Sequence, residues 1–203
     1  IIIDGNDHPL IIKVASLQPA RMQVYFIDND DYFDKRGMET DDYGYEYADN
    51  GERAIFYARG VLETVKKLRW RPDVIHCQGW ISAVVPLYIK TAFKDEPSFN
   101  GTKVVFEVNN VKLKDNLPGN FSSCLATRNV TKAFLKKENM KFESPDDLLK
   151  LGVKFSDALI LGTNDASKEV VDFAESNGKP VLPFMENPDY PSYYGEFYEK
   201  LLS

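Results

Sequence analysis

The chain has 203 residues, 43% of them hydrophobic and 28% charged, with a formal net charge of −6. That length and apolar content suffice for one sizeable core, so residues 1–203 are expected to form a single domain. The acidic balance excludes nucleic acid and anionic membrane surfaces as partners, because neutralising phosphates needs clustered Lys and Arg; the short pairs Lys66–Lys67 and Lys136–Lys137 read as solvated helix faces.

Taken in chain order, residues 10–16 (LIIKVAS) and 22–28 (MQVYFID) are strand-like and separated by a polar segment with Pro19, which predicts a β-hairpin. From Asn29 to Gly51 the composition turns to Asp, Tyr and Gly without sustained periodicity, a length that implies a functional or mobile connection. Tyr43, Tyr45 and Tyr47 alternate in it, and their rings can either stack on a sugar or pack locally. Glu52 to Leu68 has apolar residues at 3.6-residue spacing (Ala54, Ile55, Ala58, Val61, Leu62, Val65), so it is a helix with Asp49 or Asn50 available as its cap.

Pro72 introduces Asp73–Cys77, a β-branched run, and apolar residues at helical spacing follow from Ile81 to Ile89: strand, tight turn, helix. In a parallel α/β sheet such a turn lies at the carboxyl end of a strand, where ligands bind, which marks His76, Gln78, Gly79 and Trp80. Lys103–Val108 is a second buried-type strand with the polar Asn109 and Asn110 at its exit. Residues 112–150 are broken by Pro118, Gly119 and Pro145, with short helices near Val130–Lys137 and near Asp146–Lys150, the latter started by Ser144-Pro145-Asp146-Asp147. Asp157–Leu161 is then a strand, Asp165–Asn177 a helix stopped by Gly178, Val181–Pro183 a short strand and Asp189–Leu202 a closing amphipathic helix. Repeated βα order predicts an α/β, Rossmann-like domain: a mostly parallel sheet flanked by helices, with the hairpin near its N-terminus.

Cys77 and Cys124 stand without metal-ligand spacing, so no metal site is expected and a reducing, cytoplasmic setting is the simplest home. The sequons at Asn100, Asn120 and Asn129 come with no signal peptide and no apolar run of roughly 18 residues, and read as chance. The chain opens on Ile1-Ile2-Ile3 without an initiator Met, which suggests that preceding residues were cut away or are not seen.

Five segments, VYFIDNDDYF (24–33), YADNGERAIFYARGVLE (47–63), RPDVIHCQGW (71–80), KVVFEVNN (103–110) and LLKLGVKFSDALILGTNDASKEV (148–170), resemble in order and spacing the N-terminal domain of bacterial glycogen synthases and plant starch synthases. The resemblance implies one half of a GT-B glycosyltransferase, a metal-free and cofactor-free retaining enzyme that moves glucose from ADP-glucose to an α-1,4-glucan. It further implies that a second domain or partner chain supplies most cations for the leaving diphosphate, and that a Lys-x-Gly-Gly-Leu loop would lie before Ile1. The family's Asp-Asn-x-x-Arg-Phe segment is kept as Asp49, Asn50 and Arg53, with Ala54 in place of the aromatic. Its His-x-His-Asp-Trp turn reads His76, Cys77, Gln78, Gly79, Trp80, and its strand-ending His-Asn reads Asn109-Asn110.

The resemblance therefore assigns Asp49, His76 and Gln78 to the transferred glucose and Asn50, Arg53, Trp80, Asn109 and Asn110 to substrate binding. Each also has a plainer role open to it: Asp49 and Asn50 as helix caps, His76 as a structural histidine, Trp80 as packing under the turn. Gln and Asn at two histidine positions keep hydrogen bonding to hydroxyls but cannot carry a proton. This chain alone is thus expected to be catalytically incomplete. The alternative is a non-catalytic glucan-binding or regulatory protein.

Overall fold

The computed structural model describes residues 1–35 and 37–203. Strands β1 (Ile2–Ile3) and β2 (Asn6–Asp7) pair antiparallel across Asp4-Gly5, an Asp-Gly turn with both residues at positive φ, 46° and 84°. The predicted hairpin follows as β3 (Ile11–Leu17) and β4 (Met22–Asp28), antiparallel, with Ile12 opposite Ile27. Within the acidic connection lies a short helix, α1 (Asp30–Phe33), which sequence periodicity did not reveal; Asn29 Oδ1 caps it by accepting from the Tyr32 amide at 3.1 Å.

Helix α2 (Asn50–Lys67) buries the expected stripe, with Ala54, Ile55, Ala58 and Leu62 fully inside. After β5 (Val74–Gln78) the predicted single helix is instead a 3-10 turn, Trp80–Ser82, and then α3 (Val85–Lys90). Pro86 sits in the first turn of α3, where its missing N–H costs no hydrogen bond. Strand β6 (Lys103–Val108) is followed by two short helices, α4 (Phe121–Cys124) and α5 (Lys132–Lys137). The next helix, α6 (Asp146–Phe155), runs past the expected end because Leu148, Leu149, Leu151 and Val153 continue the buried face. The chain closes with β7 (Ala158–Leu161), α7 (Lys168–Ser176), β8 (Val181–Leu182) and α8 (Tyr190–Leu202).

The central sheet has the order β5-β6-β7-β8 and is parallel throughout, as the βα alternation predicts. Its residues alternate between two cores. Ile75, Cys77, Val104, Phe106, Val108 and Leu159 face the main core made with α2, α3, α6 and α7. Val74, Val105, Ala158, Ile160 and Leu182 face a smaller one, which α8 closes with Tyr194, Phe197, Tyr198 and Leu201 at helical spacing. Each fully buried aliphatic or aromatic side chain contributes about 1.5–3 kcal/mol, so the larger core dominates stability and α8 is the more lightly held element. No helix among the described residues is long and apolar enough to cross a membrane.

Candidate functional site

The sequence-predicted site residues fall into two groups. The first surrounds the start of α2. Asp49 occupies the cap position without a side-chain capping bond; its carboxylate pairs instead with Lys35 Nζ at 3.0 Å. Asn50 is buried, donating from Nδ2 to the Glu39 carbonyl at 2.9 Å and accepting from Arg53 Nη1 at 2.7 Å. Arg53, only 2% exposed, also donates to the Tyr32 carbonyl at 2.9 Å and the Met38 carbonyl at 2.5 Å. Its guanidinium carbon lies 5.3, 5.6 and 5.8 Å from the ring centroids of Tyr47, Phe33 and Trp80. Burial lowers its pKa, opposed by the charges of Asp49 and Glu39. Asn50, Arg53 and Trp80 are therefore engaged within the fold, where they staple the acidic connection to α2. Tyr47 joins that staple, whereas the Tyr43 and Tyr45 rings are exposed. The Glu46 carboxylate ties the same connection to residues 112–118 by accepting from the Lys114 and Asp115 amides at 2.6 and 3.0 Å.

The second group lies where β5 and β6 end. Gly79 has φ 69° and ψ −178°, and donates its amide to the Glu107 carbonyl at 2.9 Å. Asn109 packs under it: a Cβ at position 79 would lie 2.7 Å from Asn109 Nδ2. Asn109 Oδ1 in turn accepts from the Val111 amide at 3.1 Å, and Asn110 is exposed at the strand exit. His76 and Gln78 project from the same face of β5 toward Glu107 of β6, with Gln78 Nε2 donating to Glu107 Oε2 at 3.2 Å. His76 Nε2 lies 2.8 Å from that oxygen without the alignment of a hydrogen bond. On the other side of the ring, His76 Nδ1 is hydrogen-bonded to the Tyr198 hydroxyl of α8.

Sequence reasoning passed over Glu107, Tyr194 and Tyr198. The available signal was a lone carboxylate inside the apolar run KVVFEV, since a buried charge requires partners. Burial pushes the Glu107 carboxyl up, but contacts from His76, Gln78 and Tyr194 outweigh this and hold it below its ordinary value of 4.5. Tyr194 is pushed up to about 12 by burial and by the Glu107 charge. A carboxyl whose folded pKa is depressed stabilises the fold above its unfolded pKa and loses that contribution as pH falls through the folded value. Glu107→Gln is accordingly expected to flatten the acid limb of stability against pH below 4.5. Urea midpoints measured from neutral into acid buffer check this; parallel curves for the two proteins would refute it.

Burial pushes the thiol of Cys77 up to about 12 and that of Cys124 up to about 11, so both are unreactive near neutral pH. Among the described residues no group of three or more His, Cys, Asp or Glu side chains is placed to hold a metal.

Residues 3–180 match the family description of the starch synthase catalytic domain. Among curated relatives, glycogen synthase of Chlorobium luteolum is 40% identical over 110 residues, covering 54% of this chain and 22% of that protein. Glycogen synthase of Pelodictyon phaeoclathratiforme is 32% identical over 163 residues, covering 80% and 32%. The chain thus spans at most about a third of the length of these relatives. The catalytic domain of starch synthase IV from Arabidopsis thaliana, solved with ADP and acarbose, superposes with a TM-score of 0.67 at 17% identity, over 94% of this chain and 40% of that one. That likeness shows the fold, one half of a GT-B arrangement.

Proposed function

Since the chain belongs to the starch synthase catalytic domain family, we propose that it forms the glucan-handling half of a glucosyltransferase that extends an α-1,4-glucan from ADP-glucose. The observation that carries this reading is the row of neutral and acidic hydrogen-bonding groups at the exits of the parallel strands: Gln78, Asn109 and Asn110 beside the Gly79 turn, with Glu107 behind them. Carboxylates and amides there match sugar hydroxyls, which both donate and accept. Asp49, partly exposed and held by Lys35, is suited to accept from a hydroxyl of the transferred glucose. Charge develops on the diphosphate as it leaves, and cations must meet it in the transition state. In this proposal those cations, and the remainder of the donor site, come from a second domain or partner chain, and neither metal nor cofactor takes part. Buried free thiols at Cys77 and Cys124 support a cytoplasmic setting.

A second reading, glucan binding without transfer, is favoured by one observation: Gln78 and Asn109 are amides, so neither can exchange a proton during catalysis. One experiment separates the two. The natural full-length protein is assayed for transfer of labelled glucose from ADP-glucose to glycogen, with Asp49→Ala alongside. Incorporation that the variant lowers by roughly 100-fold, as loss of a group stabilising the transition state does, supports the transferase. Folded wild-type protein that incorporates nothing rules out an autonomous synthase, leaving glucan binding alone or transfer that needs a partner chain.

A further inference from the structure

A hollow of about 490 Å³ opens between α4, one face of α5 and the turn that follows α5. Its charged groups are Lys132, Lys136 and Lys141, and its neutral polar groups are Ser122 and Asn139. Local sequence fixes this arrangement. Lys132 and Lys136 stand four residues apart on α5 and so share a face. The chain then turns through Asn139 at φ 56°, where the Met140 amide donates to the Leu135 carbonyl at 2.9 Å and the Asn139 amide to the Lys136 carbonyl at 3.0 Å. These two bonds close the helix end in a Schellman motif and bring Lys141 back to the same hollow. Among the described residues none of the three lysines meets a carboxylate, and the Ser122 hydroxyl and the Asn139 side-chain amide make no hydrogen bond. Elsewhere Lys35, Lys90, Lys112, Lys150 and Lys154 each reach an Asp or Glu oxygen at 3.0 to 3.8 Å. Three lysines facing one hollow without a counter-charge are thus an exception in a chain of net charge −6. Like charges at i, i+4 lower helix stability, a loss that a bound anion would offset.

We propose that this hollow binds a small phosphomonoester that carries hydroxyl groups, the three ammonium groups meeting the phosphate and Ser122 and Asn139 meeting the hydroxyls. None of the residues assigned to glucose transfer lines it, and the inference stands apart from the glucan-handling reading. Charge selects the anion. Each lysine offers three donors on a point cation, which suits phosphate oxygens, and a phosphate dianion gains more from three such cations than a single negative charge does. No Asp or Glu among the described residues lines the hollow to repel it. A neutral sugar is disfavoured, because lysines only donate and sugar hydroxyls also need acceptors. A nucleotide is disfavoured as well, since among the described residues no aromatic ring lines the hollow for a base to stack on. Leu135 and Met140 supply instead an apolar wall for a short carbon skeleton. The volume falls within the roughly 300–1,000 Å³ of clefts that take small ligands, so a phosphate and a sugar-sized body fit together.

The test is calorimetric titration of the full-length protein with ribose 5-phosphate, with ribose, inorganic phosphate and ADP as comparison ligands. Ribose 5-phosphate is expected to bind, more weakly as salt is raised. Its Kd is expected to rise about 10-fold in Lys136→Gln, the loss of one charge-assisted contact, and further when Lys132→Gln is added. Ribose is expected to give no heat, and inorganic phosphate to bind about 10-fold more weakly, having no hydroxyls on a carbon skeleton for Ser122 and Asn139. Both lysines are exposed, and removing their repulsion should leave the thermal midpoint equal to or above that of the wild type, so a loss of binding is not a loss of fold. No binding of ribose 5-phosphate at low salt, or an unchanged Kd in the double variant, overturns the proposal. So does inorganic phosphate that binds as tightly, or ADP that binds more tightly through the same two lysines.

Discussion

Replacing Arg53 by Met is expected to lower the stability of the chain by about 3–5 kcal/mol, the usual cost of removing one member of a buried, charge-bearing network. The cation gathers the carbonyls of Tyr32 and Met38 and the amide oxygen of Asn50, and three aromatic rings lie within 6 Å of it. Met fills much of the volume but leaves those acceptors without donors, and each buried orphan costs about 1–3 kcal/mol. Lys is expected to rescue little, because a point charge cannot supply the forked donors of a guanidinium. Urea denaturation measures the loss, and hydrogen exchange should report faster opening of residues 29–48, the connection that Arg53 staples. A destabilisation under about 1 kcal/mol would show that the network contributes little beyond its packing.

Gly79→Ala is expected to cost about 2–4 kcal/mol and to disorder the turn that follows β5. Two causes combine. At φ 69° and ψ −178° the backbone occupies a region that is essentially restricted to glycine. The added Cβ would also stand 2.7 Å from Asn109 Nδ2. A double-mutant cycle separates them: Asn109→Ala should return the steric part, roughly 1 kcal/mol, and leave the backbone strain. Additive single effects would mean that the contact carries no energy. The pair also bears on descent, because Gly79 and Asn109 are two of the positions at which the chain departs from the pattern of the resembled synthases. They touch, so restoring Asp at position 79 alone would strain the turn. In the intact protein this substitution should impair glucan transfer or binding as well, since the turn directly follows Gln78 and packs on Asn109.

Elements whose evidence is local were legible before any coordinates. The hairpin 10–28, α2, β6 and α8 each carry their own period and their own stop signals, and the structure places them within one or two residues of the expected bounds. The Asp4-Gly5 turn was equally local and was overlooked, although Asp-Gly after an apolar run is a strong hairpin signal. Helix α1 escaped because one turn is too short to show a period, and its cap, Asn29, lies in a run of similar polar residues. The extension of α6 was hidden by Gly152, which lowers helix propensity; its missing side chain admits the Phe106 ring, since a Cβ there would stand 2.8 Å from it.

Residue type and spacing, by themselves, determined the βα order, the parallel sheet, the acidic surface and the strand exits that carry Gln78, Asn109 and Asn110, because hydrophobic period and turn chemistry act over a few residues. Only the tertiary structure decided which polar groups remain available to a ligand. Arg53 is engaged by carbonyls 15 and 21 residues away, and His76 by a tyrosine 122 residues away. Glu107 finds Gln78 across 29 residues. Contacts at such separations depend on how whole elements pack, and a side chain's partner, unlike its period, leaves no mark in the neighbouring sequence.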